Sequence, residues 1–288
     1  MALNEIKHGR DAILAALVVL AACAQQPTPQ ANTEPHPLMG MIWDVNASAF
    51  VSQDALFDRL AQSRYIILGE THDNPEQHRL QRSVLEGLAA RGQRSVLAME
   101  QFDSQYQAEI DAARMRGADA EGLADAGHFD RKGWNWPLYK PLLQFALEFG
   151  WPIAAANLSR SDARAIVADP ARSGLPPADP YVDTALSRDI SESHCGQTPD
   201  AKLLRGMVEA QRARDARMAS VFKRDTVLIA GAGHARRDRG VPIYIDGKVA
   251  SLAFIETESD KTAPAEYEQS YDYLWFTSRA AREDPCGK

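Results

Sequence analysis

Short apolar runs that halt at glycine or a polar residue alternate along this chain with stretches whose apolar positions recur every three to four residues. The runs are Arg64-Tyr65-Ile66-Ile67-Leu68-Gly69, Ser95-Val96-Leu97-Ala98-Met99, Pro152-Ile153-Ala154-Ala155-Ala156-Asn157 and Thr226-Val227-Leu228-Ile229-Ala230-Gly231. Continuous apolar runs of this length read as strands of a parallel sheet buried on both faces. The stretches between them read as helices. Asn74 is placed as an N-cap, Pro75 sits at the first helical position, and Gln77 completes a capping box. Leu80, Val84, Leu85 and Leu88 then supply the buried stripe, and Gly92 ends it. Further helices are expected over Gln105–Arg116, from Pro137 through Glu148, and from Ala201 to Phe222. Additional strands are expected at Val241–Ile245 and Leu252–Glu256, and the apolar segment Tyr271–Phe276 is expected to pack back on the core. Strands alternating with helices predict an α/β fold, a mainly parallel β-sheet flanked by helices. The blocks at 103–148 and 158–222 exceed simple crossovers and read as small inserted helical subdomains.

The first residues follow a different pattern. Lys7 and Arg10 precede an apolar run from Ala12 to Ala22, shorter than the ~20 residues a membrane-spanning helix needs. The run fits the apolar part of a secretory signal. It ends Leu20-Ala21-Ala22-Cys23, which resembles a bacterial lipobox: an aliphatic residue, two small residues, then a cysteine whose thiol takes a lipid. Ala24, not aspartate, follows, a pattern that resembles outer-membrane sorting. The expected organisation is a lipoprotein signal peptide at 1–22, lipidation at Cys23 and a flexible tether over 23–38 rich in Gln, Pro, Thr and Asn. An α/β domain over 39–258 and a C-terminal tail over 259–288 complete it. The expected location is the outer membrane, lipid-anchored, facing the periplasm or the cell surface.

Charge narrows the partners. The net charge is −7, and residues 1–22 contribute Glu5, Asp11, Lys7 and Arg10, which cancel, so the acidity belongs to the folded part. Without a basic block the chain lacks what nucleic-acid binding requires. Besides Cys23 there are two cysteines, Cys195 and Cys286. In an oxidising compartment they either pair or remain two thiols, and sequence leaves both open.

The strand ends carry the candidate chemistry. Gly69-Glu70-Thr71-His72 and Gly231-Ala232-Gly233-His234 share the pattern Gly-x-x-His, and Glu100 closes a third run. Ligands and reactive groups gather at the carboxyl ends of parallel strands, so Glu70, His72, Glu100 and His234 are expected to converge there. Two imidazoles and two carboxylates suit either a divalent metal with an activated water or a histidine base oriented by a glutamate. His78, Asn157 and Arg160 are placed to face the same cleft.

With these motifs on the page, the chain resembles the ChaN-like haem-binding lipoproteins, which share a superfamily with the TIKI proteases and the erythromycin esterases. The matching pieces are Ile67–His72, Met99-Glu100-Gln101-Phe102, Trp136–Leu143, Ala155-Ala156-Asn157 and Ile229–His234, spread over about residues 50–255. In that superfamily the residues matching Glu70, His72, Glu100 and His234 form a reactive cleft. The resemblance implies a haem carrier working beside an outer-membrane haem receptor. It further implies a homodimer holding two stacked haems, with a Tyr on each iron and a His and a Lys on the propionates. A phenolate is a hard anionic ligand suited to ferric iron. Tyr139 is the first choice for that role, because Trp134, Trp136, His128, Arg131, Lys132 and Lys140 surround it in sequence. Lys140 and His128 are the accompanying cations, and Tyr181 and Tyr106 are the other candidate ligands.

The leading expectation is therefore a haem-binding lipoprotein assisting haem and iron uptake. The alternative is a periplasmic hydrolase, metal-dependent or not, using the Glu70, His72, Glu100 and His234 cleft. A third reading is a lipoprotein that binds a partner protein and no small ligand.

Overall fold

A computed structural model describes residues 36–283 and 286–287 of the chain. The expectations for 1–22, for Cys23 and for most of the tether lie outside these residues. The elements run in the order β1 (Ile42–Asp44), β2 (Ala49–Val51), α1 (Gln53–Ala61), β3 (Tyr65–Glu70), α2 (Pro75–Ala90), β4 (Val96–Asp103), α3 (Gln107–Met115), α4 (Ala120–Ala126) and α5 (Trp136–Glu148). They continue with β5 (Ile153–Asn157), α6 (Arg160–Ala168), α7 (Pro180–Ser193), α8 (Ala201–Ala219), β6 (Thr226–Gly231), α9 (Ala232–Ala235), β7 (Val249–Glu256) and β8 (Tyr273–Thr277). The described strands form one eight-stranded sheet in the order β2-β1-β8-β7-β3-β6-β4-β5. Every pairing from β8 through β5 is parallel, and only β1 pairs antiparallel, with β2 and β8. The α/β class with inserted helical subdomains is what forms. No helix among the described residues is long and apolar enough to cross a membrane.

Strand alternation divides the core into two layers. Ile66, Leu68, Leu97, Met99, Val227, Ile229, Leu252 and Phe254 face one side, where they meet residues of α1, α2 and α5 such as Leu56, Val84, Leu88 and Leu142. Ile67, Ala98, Leu228, Ala230 and Ala253 face the other, against Met218 and Ala219 of α8, Phe222, and Tyr267 and Tyr271 near the C-terminus. The strand side chains facing each layer are mainly apolar up to the strand ends. There the same alternation sends Glu70 to the first layer and Glu100 to the second.

Four expectations change. The 259–288 stretch is more than a tail: Tyr271–Phe276 packs on the core as expected, and β8 lies inside the sheet between β1 and β7. Leu274 and Phe276 are fully buried. At the other end, Leu38 is already buried, so the fold begins ahead of Met39. Val241–Ile245 forms a tight 3-10 turn over Val241–Tyr244. Its apolar pattern suits a strand, but Pro242 has no N–H to give a neighbour and its fixed φ favours the turn. Finally, the capping box at α2 is only half present. Asn74 accepts from the Glu76 and Gln77 amides as predicted, but the Gln77 side chain accepts from Thr71 N and donates to Thr277 Oγ1.

The question left open for the cysteines is resolved: Cys195 and Cys286 form a disulfide. It ties the end of the chain to the turn after α7.

Candidate functional site

The carboxyl ends of β3, β6 and β4 lie side by side, and the chain turns from β6 directly into α9. Two glycines make this turn possible. A Cβ on Gly69 would lie 2.7 Å from the Ala235 Cβ and 2.9 Å from the Ala232 Cα, so the start of α9 packs directly on β3. A Cβ on Gly231 would lie 2.9 Å from His72 Cε1 and 3.0 Å from Nε2. The bare Gly231 backbone is what lets the imidazole lean across from β3 to β6.

The four predicted residues converge, as two hydrogen-bonded stations that meet at His72, which feels the charges of Glu70, Glu100 and His234. At the first station the buried Glu70 carboxylate is surrounded by donors. The Tyr139 hydroxyl donates to Oε1 at 2.6 Å, the Gln81 amide donates to Oε2 at 2.8 Å, and His72 Nδ1 lies 3.0 Å from Oε1. His78 Nε2 donates to the His72 carbonyl at 3.0 Å, and its Nδ1 stands 3.2 Å from Glu70 Oε2 without hydrogen-bond alignment. A buried carboxylate needs such partners, since an unpaired one is strongly disfavoured in an apolar layer. The arrangement fixes His72: Nδ1 faces Glu70, and Nε2 remains at the cleft, with 45% of the side chain exposed. Burial lowers the His72 pKa, but the Glu70 hydrogen bond and the Glu100 charge outweigh it, and the net shift is upward.

The second station is a closed chain. Glu100 Oε2 accepts from the Gly231 amide at 2.8 Å, and Oε1 lies 3.3 Å from His234 Nε2. His234 Nδ1 bonds Asp215 Oδ1 on α8. Burial alone would neutralise these groups. Instead the two carboxylates raise His234 to about 10, and the imidazolium holds Glu100 down at about 2. Burial pushes Asp215 upward, partly offset by His234.

Asp215 was missed at the sequence level, although a signal existed. It sits on the buried stripe of a helix, seven residues after Val208 and three before Met218, where an acidic residue needs a partner. Gln81, also missed, carries the same signal as a polar residue on the buried face of α2, whereas His78 was expected at the cleft and lies beside Glu70. Asn157 and Arg160, singled out earlier, are tied up locally. Asn157 donates to the Glu100 carbonyl and accepts from Arg214, while Arg160 pairs with Asp130.

The donor set does not suit the divalent metal considered for this cleft. Both oxygens of Glu100 and both nitrogens of His234 are already engaged, and no group of three or more His, Cys, Asp or Glu among the described residues is arranged to hold an ion.

Tyr139 requires a correction. Its ring is fully buried, edge-on to His78 and Trp134 and tilted against Phe129, and its hydroxyl is committed to Glu70. Burial and the adjacent Glu70 charge push its pKa far up, the opposite of what an iron-bound phenolate requires. Lys140, its neighbour, is paired with Glu121 at 2.8 Å.

His128 sits elsewhere, with φ +50 in the loop after α4 and its ring stacked on Tyr106 at 4.1 Å. These two rings line an open groove of about 340 Å³ with Gln101, Asp103, Asp130, Trp134 and Arg160. Trp134 also meets the His72 ring edge-on at 4.8 Å, so the groove opens beside the exposed side of His72. Gln101, 4% exposed, lies against the Tyr139 hydroxyl, yet neither its amide nitrogen nor its oxygen makes a well-aligned hydrogen bond. Such a buried amide is uncommon in a finished core. The groove therefore combines a phenol, two other aromatic rings, a guanidinium and an unsatisfied polar group.

The family model for haem-binding uptake, Tiki superfamily, ChaN, matches residues 56–245. Among solved structures, ChaN of Campylobacter jejuni, a structure of cofacial haem binding, is similar with a TM-score of 0.69 and 25% identity. That likeness covers 81% of this chain and 95% of that one. The type III effector HopBA1 gives a TM-score of 0.47 at 13% identity, covering 78% of this chain and 92% of that one. The RRSP toxin effector domain of Vibrio vulnificus gives 0.43 at 15%, covering 81% and 39%. At those scores neither bears on the site. No curated protein sequence matches the chain.

Proposed function

The chain belongs to the ChaN family of haem-binding uptake proteins in the Tiki superfamily, and from that membership we propose that it is a haem-binding lipoprotein assisting haem and iron uptake at the outer membrane. The observation that carries the binding site is the open aromatic groove of Tyr106, His128 and Trp134 beside His72. A flat apolar macrocycle needs aromatic surface, and its carboxylates need cations. Arg160, paired with Asp130, lines the groove and also a neighbouring one with Arg164 and Arg214, and Arg164, which has no carboxylate partner among the described residues, is the cation left for a ligand carboxylate. Tyr106 takes over from Tyr139 as the proposed iron ligand, because its hydroxyl is not committed to a buried carboxylate. An open groove covers one face of a planar ligand, and a second copy of the chain is the natural cover for the other, which supports the homodimer. The Cys195–Cys286 disulfide fits an oxidising compartment, in keeping with the lipid anchor proposed at Cys23 and a receptor partner in the outer membrane.

The test is a haemin titration of the mature protein, followed by absorption spectroscopy and sedimentation. A saturable Soret change with a shift to dimer is expected. Tyr106→Phe should weaken binding at least about tenfold, since a single axial ligand is lost, while Tyr139→Phe should retain the spectrum. An unaltered spectrum in Tyr106→Phe moves the ligand to Tyr181, whose exposed phenol donates to Asp238. No saturable change in the wild type sinks the haem reading.

One observation favours a second reading, a periplasmic hydrolase. His72 keeps Nε2 at the open edge while Nδ1 is oriented by Glu70, the arrangement of a general base. His72→Ala separates the two: a carrier keeps haemin uptake, whereas a hydrolase loses turnover of an ester or peptide substrate.

A further inference from the structure

A second cavity lies just past the end of β5, between α6, the 3-10 turn Pro170–Ser173 and the C-terminal half of α8. Its volume is about 390 Å³. Ile166 and Ala213, both buried, form an apolar floor with Leu158 and Leu175 packed against them. Two arginines line its rim, Arg172 and Arg217, together with one carboxylate, Asp162.

The arginines are what set this cavity apart. Arg160 and Arg59, which line other pockets, are matched to Asp130 and Asp44, and Arg214 donates to the Asn157 amide oxygen. Arg172 has only its backbone amide bonded, to the Asp169 carbonyl. Arg217 Nη1 reaches no acceptor nearer than Ser220 Oγ at 3.5 Å, and its Nε is buried without a hydrogen-bond partner. Arg217 lies in the last turn of α8, where a cation complements the helix dipole. That accounts for a positive residue there but not for a buried donor left without an acceptor, which a folded protein ordinarily avoids. Asp162 does not fill the gap, because its carboxylate accepts from Ser159 Oγ at the start of its own helix.

We propose that this cavity is a binding site for a small amphipathic monocarboxylate. Two guanidinium groups against one carboxylate leave a single net positive charge, which suits a monoanion and disfavours a dianion close to Asp162. The apolar floor requires that the anion carry a hydrocarbon body, since a bare inorganic anion would leave Ile166, Leu158 and Leu175 facing water. The site is separate from the aromatic groove and does not depend on the haem reading.

Calorimetric titration of the full chain with octanoate tests it. One saturable site is expected, with octan-1-ol binding at least about tenfold more weakly, because it supplies the tail without the charge. Arg172→Gln and Arg217→Gln should each weaken octanoate about tenfold or more, the loss of a charge-assisted hydrogen bond. Ala216→Phe keeps both arginines and fills the cavity, and should abolish binding in a protein whose thermal unfolding is otherwise preserved. Absence of saturable heat into the millimolar range, or wild-type affinity in the double arginine variant, overturns the proposal. So does loss of haemin uptake in Arg172→Gln, which would join the two sites.

Discussion

His234 shows most clearly how a residue's neighbours decide its chemistry. As a histidine after a strand it reads as a free base or a ligand, but Glu100 and Asp215 occupy both its nitrogens. Its charge is a stability term. The raised value near 10, against an ordinary 6.5, means that the charged form is favoured by folding. That stability is fully present below about pH 6.5 and is lost as the pH rises through about 10. Glu100 works in the opposite sense: held near 2 from 4.5, it stabilises above about pH 4.5 and ceases to as the pH falls through 2. His234→Gln should therefore cost roughly 3 kcal/mol at pH 6, since it leaves a buried carboxylate without its counter-charge. At pH 10 the cost relative to wild type should be much smaller. Urea unfolding of both proteins at the two pH values checks this, and an equal cost at both would mean that His234 is not charged in the fold.

Element by element, the sequence was most informative where local physics decides. The four long apolar runs all became parallel strands, and α2 begins at the predicted Asn74 cap. The departures involve partners distant in sequence. Gln77 abandons its capping box because Thr71 and Thr277 offer it better-placed partners across the sheet edge, the latter 200 residues away. The strands β1 and β2 are three residues each, too short to show a period. At the opposite edge, β5 has its outer backbone covered by a side chain: Gln107 donates to the Ile153 carbonyl and accepts from the Ala155 amide, as a neighbouring strand would. Asn74 combines both kinds of role. It caps α2 and donates to Glu256 Oε1 and to the Ser278 carbonyl. Asn74→Ser would keep the cap and lose those two bonds, whereas Asn74→Ala loses all. The expected costs are about 1–2 kcal/mol for serine and about 1 kcal/mol more for alanine. Chemical denaturation of the pair measures the split, and equal costs would reduce Asn74 to its cross-sheet role.

At the scale of the whole molecule, the candidate site was half legible. Glycines and strand ends identified Glu70, His72, Glu100 and His234, and strand parity already separates Glu70 from Glu100, since Ile66 and Leu68 share a face with the first and Ala98 with the second. Tyr139 was misassigned because sequence proximity to tryptophans cannot distinguish a ring that lines a groove from one that closes a core. The end of the chain was legible in part: Tyr271–Phe276 was expected to pack on the core, but not to join the sheet as β8, and the pairing of Cys195 with Cys286 joins positions 91 residues apart. These two features hold the C-terminal segment at both ends, in the sheet and against the helical insertion. A cross-link closing a loop of that length removes conformational freedom from the unfolded chain worth at most about 4–5 kcal/mol by the chain-entropy account. The realised loss in Cys195→Ser is expected to be smaller, roughly 2–4 kcal/mol, because β8 already restrains the same segment. Reductant should bring the wild type to the stability of the variant and leave the variant unmoved. A wild type indifferent to reductant would mean that β8 alone anchors the C-terminal segment.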